Sequence, residues 1–358
     1  MAAWVKGGAT DADAAVMAAA RLLSSAHAPV FAGLNAEVAA IRAAYDLAGR
    51  IGASVDTAGG DATYADLGAL ARVGAMQAPP AEVAGRADAV LVVGEAPLKS
   101  PLVERLRGTK PVRGRAVGAE RSIHHLRSNQ DLAVQIAHLR AHARGHMTSD
   151  AGMAETARAM ASALYGAVLY DPGELGTLGI EMLQGLVMDL NESTRCFALS
   201  VSDGTQDRAA LQVAAWTTGQ ATRVGFGRRV PEQDPWRFDA DRQAEAGEAD
   251  AALWLASLPT PRPTWLKTLP TVALVGADAA PDLAEVVIRV GEPGRETGGV
   301  LWNEGRAGLS YRAPEQGADL PTAADIIARI AAAVAGRGTV AGRGAVAGRS
   351  AVANSEDA

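Results

Sequence analysis

Ala89-Val-Leu-Val-Val-Gly94 is an unbroken apolar run closed by glycine, and Ala251-Ala-Leu-Trp-Leu-Ala256 repeats the pattern later in the chain. A strand with one wet face alternates apolar and polar side chains. A run that is apolar at every position must be covered on both faces, as in a parallel sheet layered between helices. Outward from Gly94, the spacing predicts a helix over 101–107, a strand near 111–117 and a helix over about 130–144, stopped by Gly145. Toward the start, a helix over 11–25 is capped by Asp11 or Asp13, and a strand over 29–33 ends in a glycine turn. A helix over 35–52 and a strand over 53–56 follow. Helix and strand alternating at such short intervals define an α/β fold.

The pattern breaks between Thr57 and Pro80, where Gly59-Gly60-Asp61 leads into Ala- and Gly-rich loops and then Pro79-Pro80. It restarts with a helix over 155–164, a strand over 166–170, a helix over 179–191 and a strand over 195–199. Strands over 251–256, 271–275 and 285–290, a hairpin over 300–314 turning at Glu304-Gly305, and an amphipathic helix over 322–335 complete it. The expected architecture is two Rossmann-like, doubly wound α/β lobes. Residues 1–57 and 146–330 form the main lobe, 58–145 an inserted smaller lobe, and 331–358 a tail. The tail carries the hexapeptides Ala333-Val-Ala-Gly-Arg-Gly338, Thr339-Val-Ala-Gly-Arg-Gly344 and Ala345-Val-Ala-Gly-Arg-Ser350. So much Gly and Ala cannot bury a core, so this segment is expected to be disordered or draped on a partner.

With 358 residues the chain exceeds one ordinary core. A 48% hydrophobic content suits globular lobes, and 4% aromatics leave their filling to Ala, Val, Leu and Ile. The net charge of -6 argues against nucleic acid, which needs a concentrated basic face. No apolar run is long enough to span a bilayer. The start, Met1-Ala-Ala-Trp-Val-Lys6, lacks the basic and apolar regions of an export signal, and the single Cys196 cannot form an internal disulfide. The expected compartment is the cytoplasm.

No group of residues makes a catalytic set. His138, His142 and His146 are four apart, but Gly145 ends the helix before the third, and Leu139 replaces a general-base Glu. His124-His125 fall in an expected loop. Gly225-Phe-Gly-Arg-Arg-Val230 lacks the third glycine and the following helix of a dinucleotide loop, while Gly33 and Gly94 close strands as fold turns do. Ser200-Val-Ser-Asp-Gly204 lacks the leading glycine of a nucleophile elbow. Cys196 lies within a strand, as a small hydrophobe does, and Glu245, Glu248 and Asp250 read as a solvated face. Arg223, Arg228 and Arg229 form a basic cluster beside Gly225 and Gly227.

The order of the pieces resembles the molybdopterin oxidoreductase superfamily. Glu292-Pro-Gly-Arg-Glu-Thr-Gly-Gly-Val-Leu-Trp-Asn-Glu-Gly-Arg306 is similar to its E-x-x-G-T-x-x-N-x-E-G-R stretch. Glu296, Gly299, Asn303, Glu304, Gly305 and Arg306 fill its positions, Val300 replaces the Thr, and the spacer between Asn and Glu is absent. The stretches 87–97 and 249–259 look like its paired strand-and-turn segments. Asn191-Glu-Ser-Thr-Arg195 and Trp216-Thr-Thr-Gly219 resemble one branch more than the rest, the family of the formylmethanofuran dehydrogenase B subunits, to which the chain is similar up to about residue 330.

That resemblance implies an iron–sulfur cluster, a Cys or selenocysteine ligand to molybdenum or tungsten, and a pterin. This chain has no Cys before Cys196, no thiol in Thr57-Ala-Gly-Gly-Asp-Ala-Thr63, and Ala96 and Leu258 where the pterin-contacting Asn is expected. Soft ligands are missing where such metals need them, so no cofactor, metal or catalytic residue is assigned. The resemblance narrows to the cofactor-less members found in the formyltransferase/hydrolase complexes of methylotrophic bacteria. It implies a non-catalytic structural subunit in one-carbon metabolism, on the route from formaldehyde to formate. Its expected partners are an amidohydrolase-like formyl-hydrolase subunit, a formyltransferase subunit and a further small subunit. Through that role the arginine cluster could meet an acidic tail on the furan carrier. The alternatives are an active molybdo- or tungstopterin subunit with unusual ligation, for which Asp61 is the candidate, and a degenerate electron-transfer scaffold like that of respiratory complex I. A thiamine-diphosphate enzyme would need a G-D-G stretch that the chain lacks.

Overall fold

The structure is a computed structural model and describes residues 2–201 and 204–336. The described residues divide into two units: one built from 2–58, 206–301 and 310–336, the other from residues within Gly59–Thr205 and from Trp302–Leu309. The main lobe therefore does not resume at residue 146. Strand Gly166–Tyr170 pairs along its full length with Ala89–Val93, and Cys196–Ser200 pairs with Gly166–Tyr170, so both belong to the inserted unit. The helix at 130–144 ends at a glycine, but the sheet it covers continues.

In the first unit, five parallel strands carry the sheet. In chain order they are Pro29–Asn35, Ser54–Val55, Ala251–Ala256, Thr271–Val275 and Val286–Arg289, and they lie side by side in the order 2-1-3-4-5. Antiparallel pairs finish both edges, with Val224–Gly225 on Ser54–Val55 and Ala3–Val5 on Val286–Arg289. One face packs Val30, Ala32, Trp254, Val275 and Val287 against Trp265, Leu266 and Leu283. Trp254 and Trp265 meet edge to face, with centroids 6.0 Å apart.

The second unit is a four-stranded parallel sheet. Its strands Ala89–Val93, Ser122–Leu126, Gly166–Tyr170 and Cys196–Ser200 lie in the order 2-1-3-4. Leu91, Val93, Val168, Tyr170, Cys196 and Ala198 enter one core, while Val90, Val92, Ala167 and Leu169 enter the other. Both faces are covered, as the unbroken apolar run requires.

Three local expectations change. Residues 60–73, read as loop, form the helix Gly60–Val73, whose Thr63, Ala65 and Ala69 are buried. The strand expected at 111–117 is absent, and Ser122–Leu126 takes its place in the sheet. His124 and His125 thus stand on a strand opposite Leu91 and Val92. Small Ala and Gly side chains mute helical periodicity, and a strand bearing two imidazoles has little apolar signal. The hairpin strands Gly299–Asn303 and Gly308–Arg312 form a separate two-stranded sheet. Residues 323–336 are helical, and the hexapeptide repeats from 337 on lie outside the described residues. No helix among the described residues is long and apolar enough to cross a membrane.

Gly33 has φ +87°, and a Cβ there would stand 2.7 Å from the Leu255 carbonyl oxygen. Gly33→Ala should therefore lower unfolding stability by about 1–3 kcal/mol, from combined backbone strain and overpacking. A denaturant titration unchanged from wild type would contradict this geometry.

Candidate functional site: the two switch points

In an open doubly wound sheet, ligands bind where neighbouring strands send their connections in opposite directions, at the strands' carboxyl ends. Each unit has one such point.

In the first unit it lies between Pro29–Asn35 and Ala251–Ala256. The chain spans it with its own polar groups. Asn35 Nδ2 donates to the Pro259 carbonyl at 3.0 Å and to Thr260 Oγ1 at 2.9 Å, while its Oδ1 accepts from the Gln206 N–H at 3.0 Å. Glu37 is buried, so its carboxyl is pushed above the usual range, and its Oε1 accepts from the Ala324 N–H at 3.3 Å. Gly299 of the Glu292–Arg306 stretch is the glycine that lets this happen, because a Cβ there would stand 2.8 Å from Glu37 Cβ. Glu296 holds the loop together, pairing with Arg289 at 2.7 Å and accepting from the Glu292 N–H at 3.1 Å. What stays open beside this strand end is a cleft of about 190 Å3, bordered by Ser257, Gly276 and Arg262.

In the second unit the switch point lies between Ala89–Val93 and Gly166–Tyr170. The turn after Ala89–Val93 presents the N–H groups of Glu95 and Ala96 where a phosphate would seek donors. A carboxylate is already there. Glu174, from the first turn of helix Pro172–Leu190, accepts from the Glu95 N–H at 2.9 Å and the Ala96 N–H at 2.8 Å, and also from the Ser128 hydroxyl. Burial would raise its carboxyl, but these three donors outweigh that and hold it below the usual carboxylate range. Gly94, with φ +87°, leaves the room, since a Cβ there would collide with the carboxylate. Asp171 caps the helix through the Glu174 N–H at 2.9 Å, which fixes the approach.

The cofactors implied by the superfamily do not fit this donor set. A pterin pyrophosphate would meet the Glu174 charge, Ala96 and Leu258 offer no amide, and no group of three His, Cys, Asp or Glu side chains among the described residues could hold a metal. Asp61 is exposed in the first turn of helix Gly60–Val73. His138 and His142 are on helix Leu132–Ala143, with His142 buried, and His146 follows the turn at Gly145. Cys196 is buried in its strand, where desolvation pushes its thiol up to about 12. Ser200 ends that strand, and the rest of its stretch is only partly described. Glu248 pairs with Arg242 at 2.6 Å, and Asp250 accepts from the N–H groups of His27 and Ala28.

The arginine cluster is dispersed. Arg223 is buried, 3.3 Å from both Asp56 oxygens, 2.7 Å from Asp239, and bound to the Pro235 carbonyl. Arg228 pairs with Glu232 and Arg229 reaches the Arg50 carbonyl. Arg223 thus cannot reach an acidic carrier tail. Neither the Asp56–Arg223–Asp239 group nor Glu174 was evident in sequence, because each joins residues far apart in the chain.

Two consequences are measurable. Glu174→Ala strands the Glu95 and Ala96 N–H groups and should cost about 1–3 kcal/mol. Equal melting of variant and wild type would remove Glu174 from this role. Burial pushes Asp56 up to about 6, against the pull of Arg223 and the Ala240 and Thr57 N–H groups. A carboxyl raised in the folded state favours folding most at low pH and loses that advantage as pH rises through the folded value. The stability of wild type relative to Asp56→Asn should therefore fall by up to about 3 kcal/mol between pH 3.5 and 6.5. Parallel stability–pH curves for the two proteins would contradict it.

No protein-family model matches the chain. Individual proteins do. The B subunit of the formyltransferase/hydrolase complex Fhc of Methylorubrum extorquens is 52% identical over 351 residues, covering 92% of this chain and 97% of that protein. A chain in the X-ray crystal structure of the formyltransferase/hydrolase complex (FhcABCD) of the same organism, in complex with methylofuran, matches with a TM-score of 0.88. That alignment has 51% identity and covers 94% of this chain and 99% of that one. Similarity of this degree over nearly the whole of both chains establishes kinship, and the chain belongs to the family of the B subunits of the formyltransferase/hydrolase complex.

Proposed function

We propose that this chain is a non-catalytic structural subunit of a formyltransferase/hydrolase complex, with no metal, pterin or iron–sulfur centre, working in cytoplasmic one-carbon metabolism from formaldehyde to formate. The observation that supports it is a family match along nearly the full chain, joined to switch points whose donors the protein's own side chains engage. A lobe that has exchanged ligands for internal hydrogen bonds keeps its surfaces, and surfaces are what an assembly uses. Its partners in this reading are an amidohydrolase-like formyl-hydrolase subunit, a formyltransferase subunit and a further small subunit. Methylofuran, present in the related complex, is the kind of carrier that they would serve. Nothing among the described residues favours a molybdenum or tungsten subunit with Asp61 as ligand, since Asp61 belongs to no potential metal cluster.

Obligate subunit contacts resemble a core cut in half, and partner binding contributes to the stability of each chain. Tagged in its native host and purified gently, the chain should bring an amidohydrolase-like and a formyltransferase subunit in fixed ratio, identified by mass spectrometry. Expressed alone, it should melt several degrees lower than in that assembly. Recovery of the chain by itself, monomeric and equally stable, would reject the structural-subunit reading.

A further inference from the structure

Asn191-Glu-Ser-Thr-Arg195, the stretch that distinguishes this chain within its superfamily, takes no part in either switch point. It turns the chain from helix Pro172–Leu190 into strand Cys196–Ser200, at the amino end of the second unit's sheet. Asn191 makes the turn rigid: its Nδ2 donates to the Val187 carbonyl at 2.7 Å and the Cys196 carbonyl at 2.6 Å, and its Oδ1 accepts from the Cys196 N–H at 3.2 Å. The Thr194 hydroxyl adds a bond to the Ala163 carbonyl.

This preorganised turn lines an open groove of about 650 Å3 within the second unit. Three guanidinium groups, from Arg86, Arg115 and Arg195, and one carboxylate, from Glu192, belong to its walls. Arg86 is committed to Glu82 at 2.9 Å, and Glu192 to Arg144 at 2.8 Å. Arg115 and Arg195 are exposed and form no ion pair among the described residues. Leu164, 48% exposed, adds an apolar surface to the same groove, whose lining also includes the buried Tyr165, stacked on Phe197. In a chain of net charge -6, two uncompensated cations in a concave, rigid surface run against the overall balance and favour an anionic occupant. The cations come from separate loops and share the groove with an apolar side chain. An extended peptide carrying carboxylates among aliphatic residues matches that arrangement better than a compact anion does.

We propose that this groove is a docking surface for an acidic segment of another subunit of the same assembly, with Arg115 and Arg195 receiving its carboxylates and Leu164 its apolar side chain. The proposal rests on the structural-subunit reading and adds to it a site and a partner chemistry. The test compares tagged wild type, R115E/R195E and R115K/R195K, each expressed as the full chain with its complex in the native host. The charge-reversed chain should keep its own melting temperature yet retain at least about tenfold less of one partner subunit, and the lysine variant should recover it. Equal partner recovery by wild type and R115E/R195E would overturn the docking surface while leaving the subunit reading intact. A wild-type chain that brings no partner would overturn both.

Discussion

Parallel strands covered by helices on both faces impose one constraint on everything else in this protein. A strand can end in a turn whose N–H groups lack a sheet partner, as those of Glu95 and Ala96 do after Ala89–Val93, and such groups need an acceptor. Many doubly wound proteins leave that role to a bound phosphate. Here Glu174 serves the turn at Gly94, and in the other unit Asn35 links the two central strands through Pro259 and Thr260. The glycines at 33, 94 and 299 follow from this arrangement, because they give backbone and side chains the space to approach. The buried polar groups therefore belong to the stability of the fold.

Internal ligation gives the strand-end turn of the second unit a partner from within the chain. An intramolecular carboxylate satisfies these donors without the entropic cost of recruiting a ligand from solution. The Glu292–Arg306 stretch shows the same pattern. Glu296 ties its loop to Arg289, and Gly299 covers Glu37, so much of the motif is accounted for by architecture. Such retention makes sequence likeness to a catalytic superfamily compatible with a structural role.

The sheet strands were legible in the sequence because two-sided burial writes an unmistakable apolar run, as at Ala89–Val93 and Ala251–Ala256. The helix Gly60–Val73 was not legible, because Ala and Gly carry too little hydrophobic contrast, and strand Ser122–Leu126 was masked by His124 and His125. The missing thiols could be read at once, since an absent residue type needs no geometry. The arginine cluster misled because proximity in sequence says nothing of direction: Arg223 turns inward to Asp56 and Asp239, and its neighbours face elsewhere. The second lobe boundary was missed because a helix-stopping glycine looks the same inside a sheet domain as between two domains.

The bond from Asn35 to Pro259 joins positions 224 residues apart, with all four strands of the second unit's parallel sheet encoded between them. On a ribosome adding roughly 5–20 residues per second, that interval lasts roughly 10–45 s. Throughout it, strand Pro29–Asn35 has one flank on offer to Ser54–Val55 and the other bare, awaiting Ala251–Ala256. The inserted sheet, whose last strand ends at Ser200, can form in that time. The nascent chain can therefore pair its inner sheet while the outer one still lacks Ala251–Ala256 and the strands that follow it.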